Sequence, residues 1–443
     1  MMAMSSPLSG RAPSLPQADG ATLPSARRLP PEARHVIISV NPQAGRRSGQ
    51  PAAQRLARFL AAQGLQAEIS TDLAEVAGRA AERQARGHLR AVVAAGGDGT
   101  VAEIVNRVPA GVPVTVLPLG TENLLAKYLG IGREPESVGE AIASGVAVRL
   151  DAGLAVSPRG VWLGTDHSDR TGHAGEFLRD SHSRLGETRR HALTCHSEGS
   201  KEPHAVLPET LRCAQSDSQS DSRVQGDSLP GRIFLLMASC GLDADVVYRL
   251  EQARRGHISH LSYIKPIVSA FRNYGYPPLR IRCRPAEEPA GQSAAAEAAS
   301  SSAGAACSAI DPVVARWMFL FNMPCYARGL PFTPGATGDD GLFDLCAFER
   351  GSFWHGMRYL MAVLRGKHDR LADCTLRRVT GLRVEADESV PFQLDGDFGG
   401  YLPLEVSLLP RWLTLVVPAA WPGTRPTILA RHASEGEAGA PPA

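Results

Sequence analysis

The chain has 443 residues, 43% of them hydrophobic and 21% charged, with 47 Lys and Arg against 45 Asp and Glu for a formal net charge of +2. That length provides for roughly two or three domains and excludes a collagen, a short disulfide scaffold or a lone peptide module. The near balance of charge excludes a global polyanion-binding field, so nucleic acid is not an expected partner. Eight scattered cysteines without a Cys-x-x-Cys pair, and a start without a signal-peptide core, point to a reducing, cytoplasmic setting. No apolar run approaches the roughly 18 to 20 residues that span a bilayer, so any membrane contact is expected to be peripheral.

Residues 1–34 carry Pro, Ser, Ala and Arg without apolar periodicity and are expected to be a disordered tail. Residues 35–150 alternate β-branched runs with amphipathic stretches: Val36–Val40, Ala52–Gln63, Gln66–Ser70, Leu73–Ala85, Ala91–Ala95, Val101–Val108, Pro113–Leu117 and Glu122–Leu129. Buried strands each followed by a helix predict a parallel three-layer α/β domain with helices on both faces of its sheet. Residues 151–420 change to strand-sized runs bounded by Gly and Pro, among them Arg232–Met237, Leu279–Cys283, Trp317–Phe321, Phe343–Phe348, Gly381–Glu385, Leu404–Leu408 and Leu413–Val417. A mostly antiparallel β domain is expected there, with helices chiefly around Ile258–Phe271 and Trp354–Arg365. Two low-complexity inserts, 158–230 and 285–311, and a tail, 421–443, lack the apolar content to offset their chain entropy.

Three loops at the carboxyl ends of predicted strands share one chemistry: Asn41, Pro42, Gln43, Ala44 and Gly45; Gly96, Gly97, Asp98, Gly99 and Thr100; and Leu119, Gly120, Thr121, Glu122 and Asn123. Open α/β sheets bind ligands at that edge. Glycines let main-chain N–H groups approach a phosphate closely, and a following helix adds its positive end. One such loop is only a turn, but three in register read as a cradle for nucleotide phosphates. No Walker A pattern occurs, so the mode of phosphate binding is a different one.

Asn41-Pro-x-Ala-Gly45, Gly96-Gly-Asp-Gly-Thr-Val-Ala-Glu-Ile-Val-Asn106 and Pro118-Leu-Gly-Thr-Glu-Asn-Leu-Leu-Ala126 resemble the diacylglycerol kinase catalytic domain family, which includes sphingosine, ceramide and bacterial lipid kinases. Later matches follow in the family's order: Asp151-Ala-Gly153, Ser239 to Asp245, Asp339 to Asp344, Gly366-Lys-His368 and Leu394-Asp-Gly-Asp397. The resemblance implies an ATP-binding domain, then a β sandwich, with the active site in the cleft between them. It implies nucleotide contacts from Asn41 to Gly45, Thr71, Gly96 to Thr100, Glu103, Thr121 and Asn123. It also implies that Asp98 and Asp151 organise a catalytic Mg²⁺, directly or through water, in keeping with that ion's preference for few carboxylates plus phosphate oxygens and waters. A second, structural metal would be held by Asp340 with the main-chain oxygens of Thr337 and Leu342. The family's Asp-Gly-Glu supplies the general base; here it is Asp395-Gly396-Asp397, with Asp397 one methylene shorter than the glutamate it replaces, and the pair Asp395 and Asp397 is expected to share the role.

One residue departs from the bacterial pattern: Leu124 follows Asn123 where bacterial relatives carry an Asp, while sphingosine kinases also have an apolar residue there. Arg254 to Lys265 and Phe271 to Tyr276 mix cations with apolar residues, as suits either a core helix with solvated arginines or peripheral contact with an anionic membrane. His191, Cys195, His196 and His204 fit no zinc spacing. The expected function is ATP-dependent phosphorylation of a hydroxyl on diacylglycerol, a sphingoid base or a related lipid. The competing readings are an NAD kinase-like enzyme and a non-catalytic nucleotide-binding scaffold. A homodimer is compatible with the sequence.

Overall fold

A computed structural model describes residues 26–41, 49–160, 231–253, 269–270, 272–285, 312–326, 330–421 and 423. Pro42 to Gly45, nearly all of both expected inserts, most of the basic stretch at 254–276 and the His191 to His204 group lie outside these residues.

The first domain follows the predicted alternation. After the short strand β1 (Arg27–Arg28) come β2 (His35–Val40), α1 (Gly49–Ala62), β3 (Gln66–Ser70), α2 (Leu73–Ala85), β4 (Leu89–Gly96), α3 (Asp98–Val105), β5 (Pro113–Pro118), α4 (Leu124–Tyr128) and α5 (Pro135–Ser144). The four parallel strands lie in the order β3, β2, β4, β5. Continuous apolar runs such as Val36-Ile-Ile38 and Ala91-Val-Val-Ala-Ala95 are fully buried because helices cover both faces. Asp72 caps α2, its Oδ1 accepting from the amides of Ala74 and Glu75. Proline at the start of α5 and left-handed Gly145 at its end delimit a helix that the sequence reading did not separate from its surroundings.

The second domain comprises β6 (Val146–Val156), β7 (Arg232–Phe234), β8 (Met237–Cys240), α6 (Leu242–Ala253), β9 (Leu279–Pro285), β10 (Val313–Ala315), β11 (Trp317–Phe321), β12 (Phe343–Phe348), α7 (Phe353–Leu364), β13 (Cys374–Glu385), β14 (Pro391–Leu394), β15 (Asp397–Tyr401) and β16 (Leu404–Val417). Its strand pairs are antiparallel, running β15, β14, β8, β11, β12, β13, β16. Strand β11 shows why its run is apolar throughout: Met318 and Leu320 face the sandwich interior with Phe343 and Val406, while Trp317, Phe319 and Phe321 face the core shared with Tyr359 of α7.

Strands β6 and β16 join the two domains. They pair along nearly their whole length, and the far end of β16 runs parallel to β5, so the C-terminal strand extends the first domain's sheet. The expected pair of strands at 404–408 and 413–417 is thus one strand, irregular between Leu409 and Leu413, with Arg411 at φ 51°.

The tail expected through residue 34 is ordered at its inner end: Arg27 and Arg28 pair with Ala147 and Val146. The cause is Arg90, whose buried guanidinium donates to the carbonyls of Pro30, Ile142 and Ala143 and so ties this segment down. Similarly, the start of the first insert is ordered by Tyr401, whose carbonyl accepts from the Ser157 hydroxyl and whose amide donates to the Arg159 carbonyl. Among the described residues, no helix is long and apolar enough to cross a membrane.

Candidate functional site

The Gly96 to Thr100 loop turns β4 into α3 and lies against the loop that turns β5 into α4. Their approach is close enough to require glycine at position 120, where a Cβ would lie 2.7 Å from the Gly97 Cα and 2.8 Å from Asn123 Oδ1. A Cβ on Gly96 would lie 2.2 Å from Thr100 Oγ1, which also accepts from Asn41 Nδ2 at 3.2 Å. The first loop is therefore joined to the second at Asn41, the last described residue before Pro42. Asn123 is buried at φ 49°, and its amide group bonds both the N–H and the C=O of Gly120, so it shapes the loop from within. Thr71 and Thr121 are exposed at the same sheet edge, and Glu103 is partly buried on α3.

Asp98 opens α3, yet its carboxylate serves a different helix. Oδ2 accepts from the Leu124 amide at 2.9 Å and Oδ1 from the Leu125 amide at 3.0 Å, so Asp98 caps the start of α4. Burial pushes its carboxyl above the ordinary value, while those two amides and the Lys127 cation pull against the rise.

The β14–β15 hairpin brings the late acidic motif to this edge. Asp395, at φ 53°, turns its carboxylate onto three main-chain amides, those of Leu235 (2.7 Å), Leu236 (2.7 Å) and Met237 (3.0 Å). It is half-buried, and desolvation raises its carboxyl to about 6 despite the amides. Asp397 is different. Its side chain is 42% exposed, and a Cβ on Gly99 would lie only 3.6 Å from its Oδ2, which places it against the glycine loop of the first domain. The same oxygen accepts from Arg232 at 2.8 Å, and the Arg232 side chain is 3% exposed with its Nε unpartnered. The two expected acids are thus unequal: Asp397 borders the cleft, whereas Asp395 is engaged by the main chain.

Asn106, at the end of α3, fixes how the domains meet. Its Nδ2 donates to the Ile233 carbonyl (2.8 Å) and its Oδ1 accepts from the Ile233 amide (2.7 Å), imitating a strand partner for β7 next to Arg232. Neither Arg232 nor this function of Asn106 was singled out from sequence. The available signal was a lone cation opening an apolar strand.

Asp151 is buried on β6, opposite the irregularity in β16. Its Oδ1 accepts from the Arg411 amide at the irregularity in β16, its Oδ2 from the Gly341 amide, and its own amide donates to the Gly338 carbonyl. Burial raises its carboxyl, as do the neighbouring carboxylates of Asp340 and Asp339. Helix α4 spans the distance between the acids: its first amides hold Asp98, and the Tyr128 hydroxyl near its end donates to the Thr337 carbonyl.

A catalytic metal fits Asp98 in a limited sense. Each oxygen receives one amide and keeps a second lone pair, and the carboxylate adjoins the glycine loop. The second expected metal site does not fit. Of its three donors, the Thr337 carbonyl receives the Tyr128 hydroxyl, and both Asp340 oxygens are engaged, one by the Arg378 guanidinium and the other by the Leu342 amide. Arg378 supplies the positive charge that a cation would bring. No group of three or more His, Cys, Asp or Glu suited to a metal occurs among the described residues.

Comparison with known proteins gives the same order of domains. The diacylglycerol kinase catalytic domain model matches residues 35–155, and a model described as the YegS C-terminal NAD kinase beta sandwich-like domain matches residues 237–417. Residues 35–155 thus form a diacylglycerol kinase catalytic domain, followed by a YegS-like sandwich domain. A diacylglycerol kinase of Bacillus subtilis (strain 168) is 29% identical over 85 residues, covering 19% of this chain and 28% of that one. One of Mycobacterium tuberculosis (strain CDC 1551 / Oshkosh) is 30% identical over 97 residues, covering 22% and 31%. The chain thus matches less than a third of the length of these relatives. A crystal structure from Bacillus anthracis str. Sterne, provisionally assigned as a diacylglycerol kinase, superposes with a TM-score of 0.52 at 16% identity over 88% of this chain and 98% of that one. This likeness shows the fold: an α/β domain followed by a β sandwich.

Proposed function

We propose that this protein is an ATP-dependent lipid kinase, transferring the γ-phosphoryl group to a lipid hydroxyl. The observation that carries the reading is Asp397 of the sandwich lying against Gly99 of the glycine loop, which brings a half-open carboxylate to the mouth of a phosphate cradle.

In this reading the main-chain N–H groups of the 96–100 and 119–123 loops hold the nucleotide phosphates, aided by the N-terminal end of α3. Asp397 accepts the proton of the attacking lipid hydroxyl. The hydroxyl oxygen bonds to the γ-phosphorus, the bond to the bridging oxygen breaks, and ADP leaves with that electron pair. Arg232 orients Asp397, and Asp395 holds the 235–237 strand end beneath it through three amides. Mg²⁺ beside Asp98 would neutralise phosphate charge, which together with positioning is most of what phosphoryl transfer requires. Asp151 acts in this scheme by holding the irregular turn of β16.

The test is purified protein with labelled ATP, Mg²⁺, NAD and a panel of detergent-dispersed diacylglycerols, sphingoid bases and ceramides. Label on a lipid is the expected result. Since the second domain resembles an NAD kinase sandwich, NAD belongs in the panel; label on NAD alone would replace the lipid reading, and label on no acceptor would favour a non-catalytic protein.

A further inference from the structure

We propose that the outer face of α7 is a docking surface for an anionic lipid bilayer. The inference goes beyond the kinase reading, which supplies its purpose but not its evidence. Helix α7 buries Gly356, Tyr359 and Val363, with Tyr359 stacked on Phe348 at 4.5 Å. On the opposite side Trp354 is 78% exposed, Leu364 53% and Met361 39%. Spacings of seven and three residues put these three on one helix face. So exposed an indole beside two aliphatic side chains is an unusual surface for a solvated helix.

Charge decides the occupant. Arg358 and Arg350 turn to Asp373, but Arg365, Lys367 and Arg370 are exposed and have no ion-pair partner among the described residues. An apolar wedge with a cationic rim matches a bilayer of anionic headgroups over acyl chains, where each basic residue adds about 1 kcal/mol, or roughly fivefold in partition. An aromatic seam also leads inward from this helix: Tyr359 to Phe348, Phe348 to Phe332 (6.4 Å), Phe332 to Phe319 (4.4 Å) and Phe319 to Tyr326 (5.3 Å). Tyr326 follows Cys325, whose thiol lies 3.9 Å from the Leu124 carbonyl at the start of α4. A lipid surface on α7 is therefore joined to the cleft by apolar side chains.

The experiment measures binding without turnover. The full chain is floated with phosphatidylcholine vesicles, either alone or with about 30 mol% phosphatidylserine. The wild type is expected on the anionic vesicles; Trp354→Ser/Leu364→Ser should lower partition at least about tenfold, and Arg365→Ala/Lys367→Ala about 25-fold. Brominated lipid should quench wild-type fluorescence, and Trp354→Phe should lose that quenching while still binding, which guards against a misfolded serine variant. Unchanged binding by both double variants, quenching that survives Trp354→Phe, or a vesicle-independent dimer that Trp354→Ser dissociates would each overturn the proposal. Failure of the kinase reading would leave flotation intact and appear only as missing phosphorylated lipid.

Discussion

Replacing Asp397 by Ala separates catalysis from stability in a way that the geometry makes quantitative. Arg232 is buried to 3% exposure, and its guanidinium meets Asp397 at 2.8 Å. Stripping the partner from a fully buried ion pair costs about 3–5 kcal/mol. Two features reduce that here: Asp397 stands at a half-open rim, where water can reach the freed guanidinium edge, and the Asp395 carboxylate remains close enough to interact with Arg232. The expected loss is about 2 kcal/mol for Asp397→Ala. Adding Arg232→Met removes the stranded charge at similar length and should recover most of that loss in urea denaturation. Turnover should fall about 10²- to 10⁴-fold in the single variant, as for loss of a general base, and should stay low in the double variant. If Asp397→Ala unfolds at the wild-type urea midpoint, or if the double variant is no more stable than the single one, the buried-pair argument is wrong. If the double variant regains turnover, Asp397 is not the base.

The other predictions use different contacts. Gly120→Ala drives a methyl to 2.7 Å from the Gly97 Cα, so the two cradle loops must separate; steady-state kinetics should show the KM for ATP raised about tenfold, with about 1–3 kcal/mol lost in denaturation. Asn106→Ala leaves both polar groups of Ile233 without a partner between the domains, and about 2 kcal/mol should be lost, with kcat falling more than the KM for ATP rises. Burial raises the Asp344 carboxyl to about 6, helped by Asp340 and opposed by Arg378. A folded value above the unfolded one means that the folded chain holds the extra proton, so this contribution to stability is present below about pH 4 and is lost as pH rises through about 6. Asp344→Asn should therefore match the wild type near pH 4 and be about 1–3 kcal/mol more stable near pH 7.5, and equal stability at both pH values would refute the assignment.

What sequence could and could not reveal follows from the range of the interactions. Alternating β-branched and amphipathic runs are local, so β2 to β5 and their helices were legible, and the glycine loops were legible because close approach at Gly96 and Gly120 leaves no room for a Cβ. The division of labour between Asp395 and Asp397 was not, since it depends on which carboxylate meets the amides of 235–237, about 160 residues away in the chain. Arg232 and Asn106 escaped for the same reason: Asp397 is 165 residues from Arg232, and Ile233 is 127 residues from Asn106. The second metal site was expected from its loop, but the charge of Asp340 is balanced by Arg378 and the Thr337 carbonyl is taken by Tyr128, residues outside the loop.

The geometry also accounts for Leu124, where the sequence resemblance leads to the expectation of an aspartate. An aspartate there would add a second acid beside Asp98, in a region where burial already works against the charged form of Asp98. In its place the chain offers the Leu124 main chain: its amide holds Asp98 Oδ2, and its carbonyl receives the Cys325 thiol. The side chain is free to be apolar and joins the core beside Leu125. The network is thus built from helix α4 itself, with Asp98 gripped at one end and the Thr337 carbonyl at the other. Substituting Leu124→Asp should therefore lower stability without raising turnover, because the position works through its backbone; higher turnover from that variant would show that an acid is missing from this site after all.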